Sequence, residues 1–175
     1  MNFLMRLFMT FSSISFYIIV YLVQNDIILF KNKIGQYKWV ILLFYIGIPF
    51  VLTFISLFFC TLLSKDTLKE IKAIETSNND FLANYLSFFF VALSIQRAEA
   101  FWIVLVMTLF FTFFSRVSYF NPIFLILGYS FYYVTTTDNV KIMLISKSKL
   151  RNPSTFEPIF VRRINDYTFI GGKKE

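Results

Sequence analysis

The sequence predicts an all-α integral membrane protein with about four transmembrane helices, a short interfacial helix and a small cytoplasmic C-terminal cap. Hydrophobic residues make up 57% of the 175 residues and charged residues only 15%, whereas soluble domains are about 45–50% apolar and about 25% charged. Long apolar runs alternate with short polar stretches. The net charge of +7 is typical of a membrane protein with a basic cytoplasmic side.

The same composition argues against other classes of protein. A chain of this length has too few polar residues to cover the surface of a soluble enzyme domain. One Cys and no His exclude an intrachain disulfide and remove the commonest metal ligand and general base. The sequence contains no phosphate-binding glycine loop, no HExxH and no nucleophile elbow. We therefore expect no enzymatic activity, no cofactor and no metal site.

Two long apolar runs predict the first two spans, at residues 7–23 and 39–63. The first is too long for the core of a signal peptide, and no small-residue cleavage site follows it. The second has 25 residues without a charge, which exceeds a hydrocarbon core of about 30 Å at about 1.5 Å per residue. Pro49 lies inside this run, and proline removes a backbone hydrogen bond, so we expect a kink there.

A polar stretch at residues 64–80 separates these runs from the next apolar region. Thr67 and Glu70 have the spacing of a capping box, and Ile71 and Ile74 follow on one side. This pattern predicts a short, nearly neutral surface helix that faces solvent or a partner.

Residues 81–136 are less clear. The run at 81–95 has 15 residues, which is short for a span, so it is interfacial, re-entrant or a fifth span. Residues 98–115 and 119–136 are each long enough to span if the flanking charged side chains reach the interface.

Counting Lys and Arg near the helix ends favours four spans. With both termini in the cytoplasm, nine basic residues lie inside and four outside; with five spans, the ratio is eight to five. The prediction is therefore a transmembrane helical domain at residues 1–136 and a cytoplasmic basic tail at 137–175. The segment from 136 onwards carries eight basic and four acidic residues. Within it, 140–145 and 167–170 have strand character, and we expect them to pair in the cap.

Several residues are candidates for a sensing or gating contact. Arg97 and Glu99 lie between two apolar runs, where ionisable residues mark either a plain interfacial loop or a functional contact. Pro49 and Pro122 are candidates for the bistable part of the helices.

Other residues are candidates for binding a partner. Arg162 and Arg163 can attract anionic lipid, bind an acidic protein surface, or pair with Asp166 in a purely structural role. The full set of partner-facing candidates comprises Lys65, Lys69, Lys149, Arg151, Arg162, Arg163, Asp166 and Tyr167. Four net positive charges in the tail are weak evidence for nucleic-acid binding, so we expect none that is direct.

Two functions fit these observations. The first is a non-enzymatic membrane sensor and scaffold, whose helices shift in response to a stimulus and whose cytoplasmic face passes the change to a partner. The alternative is a pore-forming or channel-like effector that depolarises the cell, although no ring of charges lies deep in any predicted span.

The layout and the tail resemble a known family. The tail reads SKSKLRNP at residues 146–153 and RINDYTF at 163–169, and with about four spans before it the chain resembles the membrane subunit of the Kiwa antiphage defence system, KwaA. The resemblance implies a multi-pass protein of the bacterial inner membrane that forms a homo-oligomer, such as a tetramer. It also implies detection of phage attack at the envelope and a soluble cytoplasmic DNA-binding partner, KwaB.

Overall fold

A computed structural model describes residues 3–27, 38–68, 71–114, 121–150, 153 and 159–174. Within these residues the chain forms five helices and six strands. The helices are α1 Phe3–Gln24, α2 Lys38–Thr61, α3 Asn78–Ser94, α4 Ala98–Phe114 and α5 Pro122–Ile126. The strands are β1 Lys65–Leu68, β2 Ile71–Thr76, β3 Ser130–Thr136, β4 Lys141–Ser146, β5 Ile159–Asn165 and β6 Thr168–Lys174.

The prediction of an all-α fold is wrong, because the six strands form one mixed sheet in the order β1-β5-β6-β4-β3-β2. The predicted surface helix at 64–80 is replaced by β1 and β2, which pair with β5 and β3. The apolar side chains of Leu68, Ile71 and Ile74 pack onto the sheet core. Burial of these side chains against distant strands outweighs the local helix signal.

The predicted span at 119–136 is also wrong. Asn121 accepts a hydrogen bond from the backbone N–H of Ile123 at 2.9 Å and caps the short helix α5. The chain then turns at Gly128, whose φ of 81° lies in the left-handed region that favours glycine. Strand β3 follows, and its aromatic and β-branched residues alternate between two faces, as in a strand.

Strands β4 and β6 pair in parallel, with Met143 opposite Thr168 and Ile145 opposite Ile170. The predicted pairing of 140–145 with 167–170 is therefore confirmed. The other strand pairs are antiparallel. The paired segments are the central strands of the sheet, so the C-terminal residues are integral to this layer.

The sheet must coil on itself, because its two edge strands are neighbours in sequence. Leu68 ends β1 and Ile71 begins β2, so at most about 11 Å of chain separates them. In a flat sheet, five intervals of about 4.8 Å would place the edges about 24 Å apart. The side chains of one face form an apolar core inside the coil, with Tyr132, Val134, Ile142, Leu144, Val161 and Phe169 buried.

The other face of the sheet packs against the helices. Met5 and Met9 of α1 and Cys60 of α2 share a buried cluster with Met143 and Ile145 of β4. At the opposite end of α1, Tyr21 stacks on Phe101 near the start of α4 with ring centroids 3.5 Å apart. The sheet therefore lies at one end of α1–α4, which we call the helical layer, and α1 contacts the other three helices of that layer.

Two of the described helices are long and apolar enough to cross a membrane, at Met5–Gln24 and Trp39–Thr61. Helices α3 and α4 each have 17 residues, about 25 Å at about 1.5 Å per residue. In the described chain, two candidate spans thus replace the four that were predicted.

Candidate functional site between the helical layer and the sheet

The helical layer exposes large apolar side chains. In α2, Trp39 is 80% exposed, Leu43 70% and Phe58 64%. Helix α4 likewise exposes Ile103, Val106, Phe110 and Phe111. Monomeric soluble proteins rarely expose a contiguous apolar surface of this kind, and such a surface indicates contact with lipid or protein.

The described residues that were predicted to bind a partner lie in three places: the β5–β6 turn, the end of β4, and the junction of the sheet with α2. Arg163 and Asp166 form an ion pair at 3.2 Å beside the β5–β6 turn, and Tyr167 in that turn is 41% exposed. The Tyr167 backbone N–H donates to Asn165 at 2.8 Å, which fixes the turn. Lys149 is exposed after β4. Arg151 and Lys69 lie outside the described residues.

Arg162 and Lys65 lie at the junction of the sheet with α2. The guanidinium of Arg162 donates to the carbonyl of Leu63 at 3.2 Å and to the carbonyl of Thr61. A cation bonded to the last carbonyls of a helix also stabilises the negative end of its dipole. Lys65 lies directly opposite Arg162 in the β1–β5 pair. Arg162 therefore connects the sheet to the end of α2.

A basic pocket opens beside this junction, with a cavity volume of about 800 Å³. Its walls come from the last turns of α2, from β1, β5 and β6, and from the residues on either side of the β3–β4 pair. Three cationic residues line it, Lys65, Lys147 and Arg162, and its described lining includes no Asp or Glu. We call this cavity the basic pocket.

Tyr129 supports one of these cations. The Lys147 Nζ lies 4.8 Å from the centre of the Tyr129 ring, a cation–π distance. Burial, with a smaller contribution from Cys60, raises the pKa of the Tyr129 hydroxyl. The phenol is therefore neutral at physiological pH, and it does not cancel the positive charge of Lys147.

A buried polar joint connects three helices on the sheet side of the molecule. The Asn121 amide donates to the hydroxyl oxygens of Ser12 in α1 and Thr53 in α2, the latter at 2.8 Å. Ser12 and Thr53 are themselves 3.1 Å apart, and Thr53 donates to the Pro49 carbonyl at 2.7 Å. Ser12 and Thr53 are 0% exposed and Asn121 is 1% exposed, so these bonds are dry. We call Ser12, Thr53 and Asn121 the polar joint.

The structure brings two of the four sensing candidates together. Pro49 supplies a carbonyl to the polar joint, and Pro122 follows Asn121 at the first turn of α5. Arg97 and Glu99 lie at the start of α4, at the end of the helical layer away from the sheet. They form an ion pair at 3.4 Å with side chains 83% and 77% exposed.

Sequence reasoning missed the polar joint, Lys147 and Tyr129. Asn directly before Pro is a recognisable helix start, and it could have indicated the cap at Asn121. Nothing local connects Asn121 to residues 109 and 68 positions away. Among the described residues no three His, Cys, Asp or Glu come together in a way that could hold a metal ion.

Fold and site together define an α+β protein in which an apolar helical layer ends on a basic, coiled sheet. A family model described as anti-phage protein KwaA matches residues 5–170, nearly the whole chain. The chain therefore belongs to the KwaA family and has a role in defence against phages, which confirms the resemblance seen in the sequence. Comparisons with curated proteins and with solved structures gave no match.

Proposed function

We propose that this protein is a non-enzymatic membrane sensor that detects perturbation of the bacterial envelope by phage and signals through its sheet to a soluble cytoplasmic partner. The observation that carries the proposal is the division of the molecule. Apolar side chains cover the outside of the helical layer, whereas cations cluster on the sheet and at its junction with α2.

Lipid is the solvent that best fits the helical layer. An 18-residue window of α2 has mean hydropathy 2.5, and only 28% of that window is buried inside the protein. Exposing apolar surface to water costs about 25 cal/mol per Å², so side chains such as Trp39 and Phe58 would strongly disfavour an aqueous surrounding. The inner membrane, with the sheet on its cytoplasmic side, satisfies both the helices and the cations.

The polar joint supplies a route from the membrane to the sheet. Asn121 holds α1 against α2 and is followed directly by α5. Phe124 of α5 packs edge-on against Phe131 of β3, with ring centroids 6.2 Å apart. A change in the packing of α1 against α2 therefore reaches β3 of the sheet through two contacts. A stimulus shifts this equilibrium by its differential interaction with the two arrangements.

The β5–β6 turn is the proposed docking face for the partner. Arg163, Asp166 and Tyr167 are exposed there, and the segment from residue 136 onwards has a net charge of +4. Arg presents a planar fork that matches carboxylates, and Tyr adds contact area at low entropic cost. The proposed partner is a soluble DNA-binding protein that offers an acidic surface to this turn, and this chain itself assembles as a homo-oligomer.

The first experiment separates membrane insertion from signalling. Cells that carry the full-length chain are fractionated, and the membrane fraction is washed with carbonate and floated on a density gradient. We expect the chain to float with the inner membrane after the wash. Recovery in the soluble fraction would overturn the proposal at its first step.

The second experiment measures signalling. Arg163→Ala with Tyr167→Ala should leave flotation unchanged, abolish co-purification of the partner and lower protection in a plating assay. Lys72→Ala, on the edge strand β2, is the matched control, and it should retain both co-purification of the partner and full protection. A membrane-potential dye during phage challenge tests the pore as an alternative. Rapid depolarisation without the partner would favour the pore over the sensor.

A further inference from the structure

The basic pocket combines an unusual arrangement of charge with an apolar wall. Lys65 and Arg162 are register partners in an antiparallel pair, where opposed side chains lie about 5 Å apart and like charges destabilise the sheet. Lys147 lines the same cavity as a third cation. The described lining provides no carboxylate to balance them. Such a cluster indicates a site for an anion.

The donors at this site are available to a ligand. The bonds that Arg162 makes to Thr61 and Leu63 both use Nη1, and a guanidinium has further donors on Nε and Nη2. Lys65 and Lys147 are exposed, and Lys147 contacts a ring face instead of an acceptor. An anion with several oxygens, such as a phosphate, can accept hydrogen bonds from the Arg162 guanidinium and from the two Lys ammonium groups.

The rest of the pocket is apolar and continuous with the outside of α2. Leu57 and Phe58 form the wall on the helix side, and Phe58 is 64% exposed. Phe160 on β5 is 45% exposed on the sheet side. The candidate span in α2 ends at Thr61, which also lines the pocket. The cavity therefore lies at the level where hydrocarbon gives way to headgroups.

We propose that the basic pocket binds one anionic phospholipid, with its phosphate among Lys65, Lys147 and Arg162 and its acyl chain along Leu57 and Phe58. This inference rests on the proposed function, because it places α2 in the bilayer. The bound lipid connects the end of α2 to β1, β5 and the turn after β4, so the composition of the inner leaflet influences how the sheet sits on the helices.

The test uses the full chain in nanodiscs. Thermal unfolding is followed as phosphatidylglycerol replaces phosphatidylcholine, and native mass spectrometry counts the lipids that stay bound. Lys65→Gln with Lys147→Gln should lower the affinity for phosphatidylglycerol roughly thirtyfold, about fivefold for each charge. Lys72→Gln with Lys141→Gln removes the same charge elsewhere on the sheet and should leave it within about twofold.

Each outcome decides something different. An equal loss in the control variant would assign the effect to general surface charge and overturn the pocket. Stabilisation by glycerol 3-phosphate as large as that by phosphatidylglycerol would make this a soluble-anion site and overturn the lipid. Insertion into phosphatidylcholine with no response to phosphatidylglycerol would end this inference but keep the membrane sensor, whereas failure to insert would end both. If the double variant does not fold, Lys147→Gln alone should show the fivefold loss.

Discussion

The helical layer and the sheet bury their apolar residues in opposite ways. The sheet has an apolar core inside its coil and packs its other face against the helices, so that Leu144 and Ile145, on opposite faces of β4, are both 0% exposed. In the helical layer, many of the largest side chains point outwards, as Phe90 and Phe110 do. This difference fits the proposed function, in which water surrounds the sheet and lipid surrounds the helices. Variants in each layer test this difference.

The largest expected effect is in the sheet, at Gly171. A Cβ added there would lie 2.6 Å from the Phe160 carbonyl oxygen and 2.9 Å from the Val161 Cα. The backbone φ of Gly171 is 150°, which residues with a side chain rarely adopt. The neighbours are backbone atoms of β5, so they cannot move aside easily. We expect Gly171→Ala to lower the free energy of unfolding by about 3 kcal/mol or more.

Chemical unfolding in detergent measures this effect, with far-UV circular dichroism reporting the helices and sheet separately. Gly47→Ala is the matched control, because a Cβ at that helical position meets nothing within 4 Å. We expect Gly171→Ala to lose the sheet signal before the helix signal, while the variant still floats with membranes. Equal stability of the two variants would contradict the described register of β5 and β6.

The next largest effect is at the polar joint. Asn121→Ala removes the buried hydrogen bonds from the Asn121 amide to Ser12 and Thr53 and also the cap of α5, which together are worth about 2–3 kcal/mol. Asn121→Asp keeps the cap acceptor but loses the amide donor and buries a carboxyl group at the joint, so it should also be destabilised. Thermal unfolding in nanodiscs checks both.

The same joint offers a functional readout. Because Asn121 hydrogen-bonds both α1 and α2 directly before α5, we expect Asn121→Ala to uncouple stimulus from response and to lower phage protection more than its residual folded fraction explains. Ser13→Ala is the control, since Ser13 donates to the Thr10 carbonyl within its own helix. Full protection by a folded Asn121→Ala protein would show that the signal takes another route.

The helices could be predicted from the sequence more fully than the sheet. Residues 7–23 and 39–63 were predicted because a long charge-free run needs no distant partner to be recognised. The helical character of 81–95 and 98–115 is local in the same sense. Strand β3 was read as a span because a short apolar run fits a buried helix and a buried strand equally well.

The sheet was only partly predictable because its pairs are remote. β1 and β5 are joined across more than 90 residues, and the bonds from Arg162 to the end of α2 reach 99 and 101 residues back. The pairing of 140–145 with 167–170 was predicted because the first segment is rich in β-branched and apolar residues and the second in aromatic and β-branched residues. Among the site residues, Arg162 was identified by charge, but its capping role depends on a contact that no local pattern encodes.

A smaller effect is expected at the junction of the two layers. Arg162→Gln removes the cation that caps α2, and we expect a loss of about 1–2 kcal/mol in the free energy of unfolding. Arg162→Lys keeps the charge but not the fork and should recover about half of that loss. Unfolding by urea in detergent measures the loss of stability in each variant. An unchanged midpoint for Arg162→Gln would mean that the cap does not stabilise the contact between the sheet and α2.

The smallest effect is expected at the far end of the helical layer. Arg97 and Glu99 form a single ion pair with both side chains largely exposed, and such pairs contribute about 0–1 kcal/mol. Replacing both by Ala should leave the unfolding midpoint and membrane insertion unchanged, and protection in a plating assay should persist. Reduced protection by a fully folded, inserted double variant would contradict this expectation. It would place the phage-dependent contact at the exposed segment around Arg97 and Glu99. The signal would then have to cross the whole helical layer before it reaches the sheet.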